Sequence, residues 1–252
     1  LEAGKHVLCE KPLVLASKEV AALAAARDRS GRHIEEAFSY RNHPQWATIR
    51  EVLTSGAIGE PLAVHATLAK QFHDPNDIRN NPDKGGGALY DLGSYTISAC
   101  ALAFGRAPER VVGAIDRDPR FRVDRLTTAI LDYGGRHATF SVSSQGGPNA
   151  WASHQQFTVL ASRGWLACDF PYAHGRPTAC RVHVGDEGSA GSIPTRSWTF
   201  EAVNQYALQF ERFSRRLLGE DVPSWPVEDA QTTLRVIEAI FASAADGRWR
   251  AP

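Results

Sequence analysis

The first 56 residues alternate between the spacing of buried strands and the spacing of helices. Residues 6–10 are a short apolar run that stops before a proline, and residues 33–40 are a second such run, so both are predicted strands. Residues 17–29, between them, are predicted to form a helix. Pro44 begins another helix, which ends near Gly56. This strand–helix–strand–helix order is typical of a parallel sheet with crossover helices.

After residue 60 the pattern becomes mainly that of strands. Residues 63–72 are predicted to be a strand, and after a polar loop and three glycines residues 88–104 are predicted to be a helix. Further strands are predicted near 110–116, 123–133, 136–145, 155–161, 164–170 and 179–185, and helices at 204–218 and 228–245. Short turns between two pairs of these strands are typical of antiparallel hairpins.

The predicted fold class is therefore α/β. It comprises the C-terminal remnant of a doubly wound domain, followed by an α+β domain with a large, open, mixed and mostly antiparallel sheet. An open sheet face needs a cover. We expect a homodimer, or a dimer of dimers, to form through this sheet.

Composition excludes several classes of partner. Lys plus Arg and Asp plus Glu number 28 each, so there is no basic surface excess for nucleic acid or an anionic membrane. The longest apolar run, residues 97–104, is too short to span a bilayer. The four cysteines form no CxxC pair, which is typical of free thiols in a reducing cytoplasm. The nine histidines form no HExxH or HxH motif, so no metal site is predicted.

The first candidate for chemistry is the tripeptide Glu10-Lys11-Pro12 at the end of the first predicted strand. Open parallel sheets bind ligands beyond the carboxyl ends of their strands, and a following proline fixes the backbone of the lysine. Lys11 is therefore expected to point at a binding crevice. The alternative is an ordinary surface lysine at a strand end.

The second candidate is the segment GGGALYDLGSYTISA, residues 85–99. Asp91 and Tyr95 are four residues apart, so they share one face of the predicted helix. A nearby ammonium group would lower the pKa of Tyr95 and allow proton transfer. The alternative is a buried tyrosine whose hydroxyl is satisfied by Asp91. Arg79 belongs to the polar loop before the glycines, which could bind sugar hydroxyls or be a solvated turn.

Three ordered segments together resemble the glucose-fructose oxidoreductase / inositol dehydrogenase (Gfo/Idh/MocA) family. They are EAGKHVLCEKPLVLASKE, EEAFSYRNHPQWATIREVLTSGAIGEP and GGGALYDLGSYTISACALAFG. The resemblance implies a dinucleotide-binding Rossmann domain ending in residues 1–42, and a substrate-binding and oligomerisation domain over residues 43–252. The family's Gly-rich dinucleotide turn has no counterpart in this sequence. We therefore expect Leu1 to lie inside a longer protein, and this chain alone to be inactive.

The resemblance also implies residue roles. Glu10, Lys11 and Pro12 match the segment that lies along the nicotinamide, and Arg41 is expected near the cofactor. Lys11, Asp91 and Tyr95 are expected to bind substrate and to act in catalysis, and Arg79 to bind substrate. Many members have histidine where this chain has Tyr95, a choice that is similar to the sugar and dihydrodiol dehydrogenase branch. That branch favours NADP over NAD as the cofactor.

The implied activity is hydride transfer between a nicotinamide cofactor and a CH–OH group of an aldose or cyclic diol. Tyr95 would be the general acid/base, assisted by Lys11 and Asp91. One alternative is a non-catalytic regulator of the same fold that senses dinucleotide or sugar, and another is an NAD-dependent glycosidase. The presence of all three residues favours an oxidoreductase.

Overall fold

The computed structural model describes residues 1–146, 153–172 and 180–252.

The N-terminal part of the chain is a strand–helix–strand unit. Strands β1 (Val7–Glu10) and β2 (Ile34–Ala37) pair in parallel, and α1 (Ser17–Ser30) connects them. This confirms the predicted order of elements, although β2 ends earlier than the predicted residue 40. After β2 the chain forms a tight turn, Ser39–Asn42, and the Arg41 N–H donates to the Phe38 carbonyl at 3.2 Å, so the backbone here bonds within the turn and not to a neighbouring strand.

The rest of the chain is built on one eight-stranded sheet. Its strands are β3 (Pro61–Ala69), β4 (Arg110–Arg117), β5 (Asp124–Asp132), β6 (His137–Ser143), β7 (His154–Ala161), β8 (Gly164–Cys168), β9 (Cys180–Gly185) and β10 (Arg196–Phe200). The order across the sheet is β10-β9-β8-β7-β3-β6-β5-β4, and only β3 and β6 are parallel. The large, open, mostly antiparallel sheet is thus confirmed. Strand β10 was not predicted, because it is a five-residue edge strand whose side chains are at most half-buried.

Four further helices cover one face of this sheet or join it to the N-terminal unit. They are α2 (Pro44–Thr54), α3 (Ser94–Phe104), α4 (Gln205–Leu217) and α5 (Val227–Asp246). Helix α3 is buried along most of its length, packed on β3, while α5 packs against both β4 and α1. The two parts of the chain therefore share a helix interface. The predicted boundary after residue 42 stays a prediction.

The start of the helix predicted at residue 88 depends on a residue from another strand. Before α3 the chain makes one wide π-type turn, Leu89–Gly93, and the Asp124 carboxylate accepts a hydrogen bond from the Leu89 N–H at 2.7 Å. Gly87 has φ +115°, and a Cβ there would lie 2.0 Å from Asp124 Oδ1. Only glycine fits this close approach. Packing therefore requires Gly87, the third of the three consecutive glycines Gly85–Gly87.

The second face of the sheet has no covering helix among the described elements. It is rich in threonine and serine, and Leu126, Ile130 and Leu160 are 38–46% exposed. The expected dimer through this face stays a prediction. Among the described residues, no helix has the length and hydrophobicity needed to cross a bilayer.

Candidate active site

Lys11 follows the last residue of β1, and its side chain is directed at the start of α3. The Lys11–Pro12 peptide bond is cis. The Lys11 ammonium donates to the backbone carbonyl of Asp91 at 2.6 Å and to Asp91 Oδ1 at 2.5 Å. The side chains are only 9% and 13% exposed, respectively. Two candidates that are 80 residues apart in sequence are thus joined by a largely buried ion pair.

Asp91 also binds a second cation. Arg79 Nε donates to Asp91 Oδ2 at 2.8 Å, and Arg79 Nη1 donates to Asp77 Oδ1 at 3.2 Å. Burial by itself would raise the pKa of Asp91, but Lys11 and Arg79 together hold that pKa below its ordinary value. Asp91 is therefore an ionised carboxylate at neutral pH, fixed between an ammonium and a guanidinium.

Gly86, the middle one of the three consecutive glycines, positions the loop that contains Arg79. The Gly86 N–H donates to the Asn81 carbonyl at 2.9 Å, and the Gly87 N–H donates to the Arg79 carbonyl at 2.8 Å. A Cβ on Gly86 would lie 2.6 Å from both carbonyl oxygens. The glycines therefore allow the polar loop to pack against the start of the helix, which brings Arg79 to Asp91.

Tyr95 lies one turn further along, beneath Lys11. The Lys11 ammonium is 4.7 Å from the centroid of the Tyr95 ring, which is an attractive cation–π distance. The rings of Phe38, Tyr40 and Tyr172 surround Tyr95 at centroid distances of 5.5–5.7 Å. Tyr95 is 6% exposed.

The environment of Tyr95 corrects one expectation. Burial and the nearby Asp91 carboxylate raise the pKa of Tyr95 well above its ordinary value. The predicted lowering of this pKa by an ammonium group is wrong, because Lys11 contacts the ring face and its charge is paired with Asp91. Tyr95 is a protonated phenol at neutral pH.

A cavity of about 320 Å³ opens beside these residues. It lies at the carboxyl end of β1, and its volume is within the ~300–1,000 Å³ range of small-molecule sites. The lining includes most of the predicted site and three further residues, of which Lys84 is charged: Glu10, Lys11, Pro12, Ile78, Arg79, Lys84, Gly85 and Asp91. Tyr95 lies beneath Lys11 rather than in this lining.

Known proteins match the chain over nearly its full length. A sequence model of the GFO/IDH/MocA C-terminal domain matches residues 46–167. The chain is 39% identical over 249 residues to an uncharacterized oxidoreductase of Rhizobium meliloti, covering 98% of this chain and 73% of that protein. This degree of identity and coverage decides the family. The chain belongs to the Gfo/Idh/MocA family.

Two other relatives extend the comparison. The Gfo/Idh/MocA chain is 30% identical over 247 residues to the D-xylose 1-dehydrogenase (NADP(+)) 2 of Haloferax volcanii, with 98% and 73% coverage. The fold of the present chain matches that of the aldose-aldose oxidoreductase from Caulobacter crescentus, solved with glycerol, with a TM-score of 0.84 and 26% identity. The match covers 100% of this chain and 73% of that one. The resemblance seen in the sequence and the enzyme class, an NAD(P)-dependent oxidoreductase, are confirmed.

Arg41 is the one predicted site residue that neither lines the Lys11 cavity nor contacts Lys11. Its guanidinium donates to Ser98 Oγ at 2.7 and 3.2 Å and pairs with Asp229 at 3.1 Å. It also lies 5.0 Å from the centroid of Phe38. Arg41 thus joins β2, α3 and α5 in the interior of this Gfo/Idh/MocA chain, and its predicted contact with the cofactor stays a prediction.

Glu36 is a residue of the site that the sequence analysis missed. This buried carboxylate on β2 accepts a hydrogen bond from the Leu13 N–H at 2.8 Å, just after the Lys11–Pro12 segment. Burial raises the pKa of Glu36, and the hydrogen bond and the charges of Arg41 and Lys11 partly oppose the rise. The available sequence signal was a pair of acidic residues inside an otherwise apolar strand, since buried carboxylates need partners.

Proposed function

We propose that this protein transfers a hydride between a nicotinamide cofactor and a CH–OH carbon of a sugar or cyclic diol. One observation above all supports the proposal: Asp91 holds the Lys11 ammonium over the face of Tyr95, at the mouth of a cavity. A carboxylate, a cation and a phenol placed together form a proton-transfer set. A regulator without turnover would not need all three.

The residues present fit a nicotinamide at this position. The cavity lies at the carboxyl end of a parallel strand, which is where open α/β sheets bind their ligands. Glu10, Lys11 and Pro12 would contact the ring from that strand end. A bound nicotinamide supplies the hydride acceptor for oxidation and the hydride donor for reduction.

In our proposal Tyr95 exchanges the proton of the substrate hydroxyl. Because its pKa is raised, Tyr95 stays protonated at neutral pH and can donate its proton to a carbonyl oxygen as the neighbouring carbon accepts the hydride. Lys11 stabilises the negative charge that develops on the substrate oxygen. Asp91 fixes Lys11, and Arg79 fixes Asp91. We expect the rate of alcohol oxidation to increase as the pH is raised from 7 to 10.

The relatives support the sugar substrate and the two central residues. The chain is 30% identical over 247 residues to a dTDP-3,4-didehydro-2,6-dideoxy-alpha-D-glucose 3-reductase of Actinomadura kijaniata. Solved variants of a 3-ketoreductase from that organism have a lysine and a tyrosine substituted 84 positions apart. Lys11 and Tyr95 are also 84 positions apart. Complexes of that enzyme contain NADP, which supports our choice of NADP over NAD.

The remaining parts of the proposal concern the partner and the compartment. A homodimer formed through the open sheet face would cover Leu126, Ile130 and Leu160. The four cysteines are free thiols in the structure, consistent with a cytoplasmic location.

The test is turnover by the complete encoded protein with NADP(H) and a panel of aldoses, ketosugars and cyclic diols, followed at 340 nm. Tyr95→Phe should lower kcat at least ~10²-fold, in line with the contribution of general acid–base catalysis. Tyr90→Phe is the matched control, since Tyr90 lies in the preceding turn, Leu89–Gly93, and donates to the Leu15 carbonyl. Retention of most activity in Tyr95→Phe would remove Tyr95 from its role. Dinucleotide binding without turnover of any substrate would favour the regulator instead.

A further inference from the structure

A second cavity, of about 210 Å³, lies between the start of α2 and the C-terminal half of α4. It shares no lining residue with the Lys11 cavity. Its lining is dominated by cations and one aromatic ring: Arg41, Arg50, Arg212, Arg215 and Trp225. We refer to it as the arginine cavity. Nothing in the proposed hydride transfer uses it.

Three of the four arginines already have acidic partners. Each has a carboxylate oxygen within 3.1 Å: Arg41 with Asp229, Arg212 with Glu35, and Arg215 with Glu220. Arg50 has no carboxylate within ion-pair distance among the described residues. Glu211 is the acidic residue in the lining, and it forms no ion pair with the described residues either. The arginine cavity thus has fixed cationic walls and one cation without a partner.

Arg50 and Trp225 also have unsatisfied donors. The Arg50 guanidinium lies 5.4 Å from the centroid of Trp225, whose ring is also approached by Arg41 at 5.2 Å and by Arg212 at 5.8 Å. Arg50 Nη1 and Trp225 Nε1 are buried and have no hydrogen-bond partner. They are the only such side-chain nitrogens in the described part of the chain. Both belong to residues of one cavity, and native proteins rarely leave buried donors unsatisfied.

An oxyanion is the kind of ligand that would satisfy these donors. A phosphate group offers several acceptor oxygens to guanidinium and indole donors, and arginine binds it in a bidentate manner. Burial lowers the pKa of His43, which caps the adjoining α2, to about 4, so the imidazole adds no charge of its own. The N-terminus of α2 at Pro44 contributes a partial positive charge to the same space. The cavity is smaller than the ~300–1,000 Å³ of most small-molecule sites, which suits a phosphate group with little else attached.

We infer that the arginine cavity is a binding site for a phosphate group, with Arg50 as its central ligand and Trp225 as a second donor. Free phosphate and a small phosphate ester present the same chemistry to these residues. Arg41 connects the cavity to α3 through Ser98, so an occupied site would also stabilise the helix that contains Tyr95.

The test is calorimetric titration of the complete encoded protein with inorganic phosphate at constant ionic strength, with no dinucleotide added. We expect saturable binding that is weakened at least ~10-fold in Arg50→Gln and in Arg50→Met. The methionine variant removes the unsatisfied donor together with the charge, so it should fold even if the glutamine variant does not. Arg29→Gln, which changes an exposed arginine on α1, should bind phosphate as the wild type does.

Trp225→Phe retains the ring but removes the indole N–H, and should weaken binding ~3-fold. Titration with glycerol 3-phosphate identifies the source: tighter binding than phosphate indicates an ester, and equal binding indicates the free ion. Absence of saturable phosphate binding by the wild type would overturn the inference. So would an unchanged affinity in every Arg50 variant that folds.

Discussion

Two aspartates, Asp91 largely buried and Asp124 fully buried, lie at the start of the same helix in opposite electrostatic environments. Asp91 is bonded to Lys11 and Arg79, and these cations hold its pKa below the ordinary value despite burial. Asp124 is bonded to the Leu89 N–H at 2.7 Å and to the Thr127 hydroxyl at 2.9 Å, both neutral donors. Burial therefore raises the pKa of Asp124 to about 6. Similar depth gives opposite shifts, because the partners decide which protonation state is stabilised.

The comparison separates chemistry from scaffolding. Asp91 must remain ionised to hold the Lys11 ammonium, so its charge is the useful property. Asp124 needs only an acceptor oxygen to fix the Leu89 N–H and shape the wide turn. Substitution of each aspartate by asparagine retains an acceptor and removes the charge, and so distinguishes the two roles.

The largest effect is expected from Asp91→Asn. Hydrogen bonds to charged groups contribute about 1.5–3 kcal/mol each, and Asp91 accepts such bonds from both Lys11 and Arg79. We expect kcat/KM of the complete encoded protein to fall ~10³-fold, since loss of the charge leaves two neighbouring cations uncompensated. Steady-state kinetics measures this. Asp83→Asn, at an exposed position of the polar loop that contains Arg79, is the control, and equal effects of the two substitutions would contradict the assignment.

The next largest effect is expected in the pH dependence of the free energy of unfolding, to which Asp124 contributes. Its pKa is about 6 in the folded protein against 3.8 as the ordinary value, so the contribution to stability is complete below pH 4 and is lost as the pH rises through 6. A shift of about two units corresponds to about 3 kcal/mol. We expect wild type to lose up to about that much free energy of unfolding relative to Asp124→Asn between pH 4 and 7.

Urea denaturation of both proteins at several pH values provides the measurement for Asp124. Other carboxylates, such as Asp91, have lowered pKa values and change stability in the opposite direction with pH. They are common to both proteins, so only the difference between the two curves reports Asp124. Curves that remain parallel from pH 4 to 7 would show that Asp124 ionises without a burial penalty.

A smaller effect is expected from Arg79, which in our proposal acts on the substrate oxygen through Asp91 and Lys11. Arg79→Gln should lower kcat ~10-fold and move the acidic limb of the pH–rate profile to higher pH, because Asp91 loses a cation that lowers its pKa. Arg79→Lys should restore part of the kcat and part of the original position of the acidic limb. A rise in KM with unchanged kcat and an unchanged profile would instead support direct substrate binding by Arg79, as the sequence analysis predicted.

The sequence predicted both halves of this site but not the geometry of the bonds between them. Lys11 was found from its place at a strand end, and Asp91 with Tyr95 from their four-residue spacing. The contacts of Asp91 with Lys11 and of Asp124 with Leu89 join residues 80 and 35 positions apart, and periodicity reports only local structure. The same limit explains the wide turn before α3, since an acceptor from β5 forms it.

The predicted direction of the Tyr95 pKa shift was wrong for a related reason. Proximity to Lys11 was anticipated, but burial among aromatic rings was not, nor was the effect of the Lys11–Asp91 pair on the pKa of Tyr95. Helices and hairpins with regular apolar spacing were predicted within a few residues. Strand β10 was missed, because an exposed edge strand has a weak pattern.

The smallest effect is expected from Glu36→Gln, which extends the comparison to a third buried carboxylate. The glutamine oxygen can still accept the hydrogen bond from the Leu13 N–H, so we expect kcat to change less than ~3-fold. Glu36→Ala would leave that buried N–H unsatisfied, which costs about 1–3 kcal/mol and should displace Lys11, with a ~10-fold lower kcat. Kinetics and urea denaturation of the two variants measure this. If Glu36→Gln were as damaging as Glu36→Ala, the charge of Glu36 would act on Lys11 as Asp91 does, and two carboxylates rather than one would hold that ammonium.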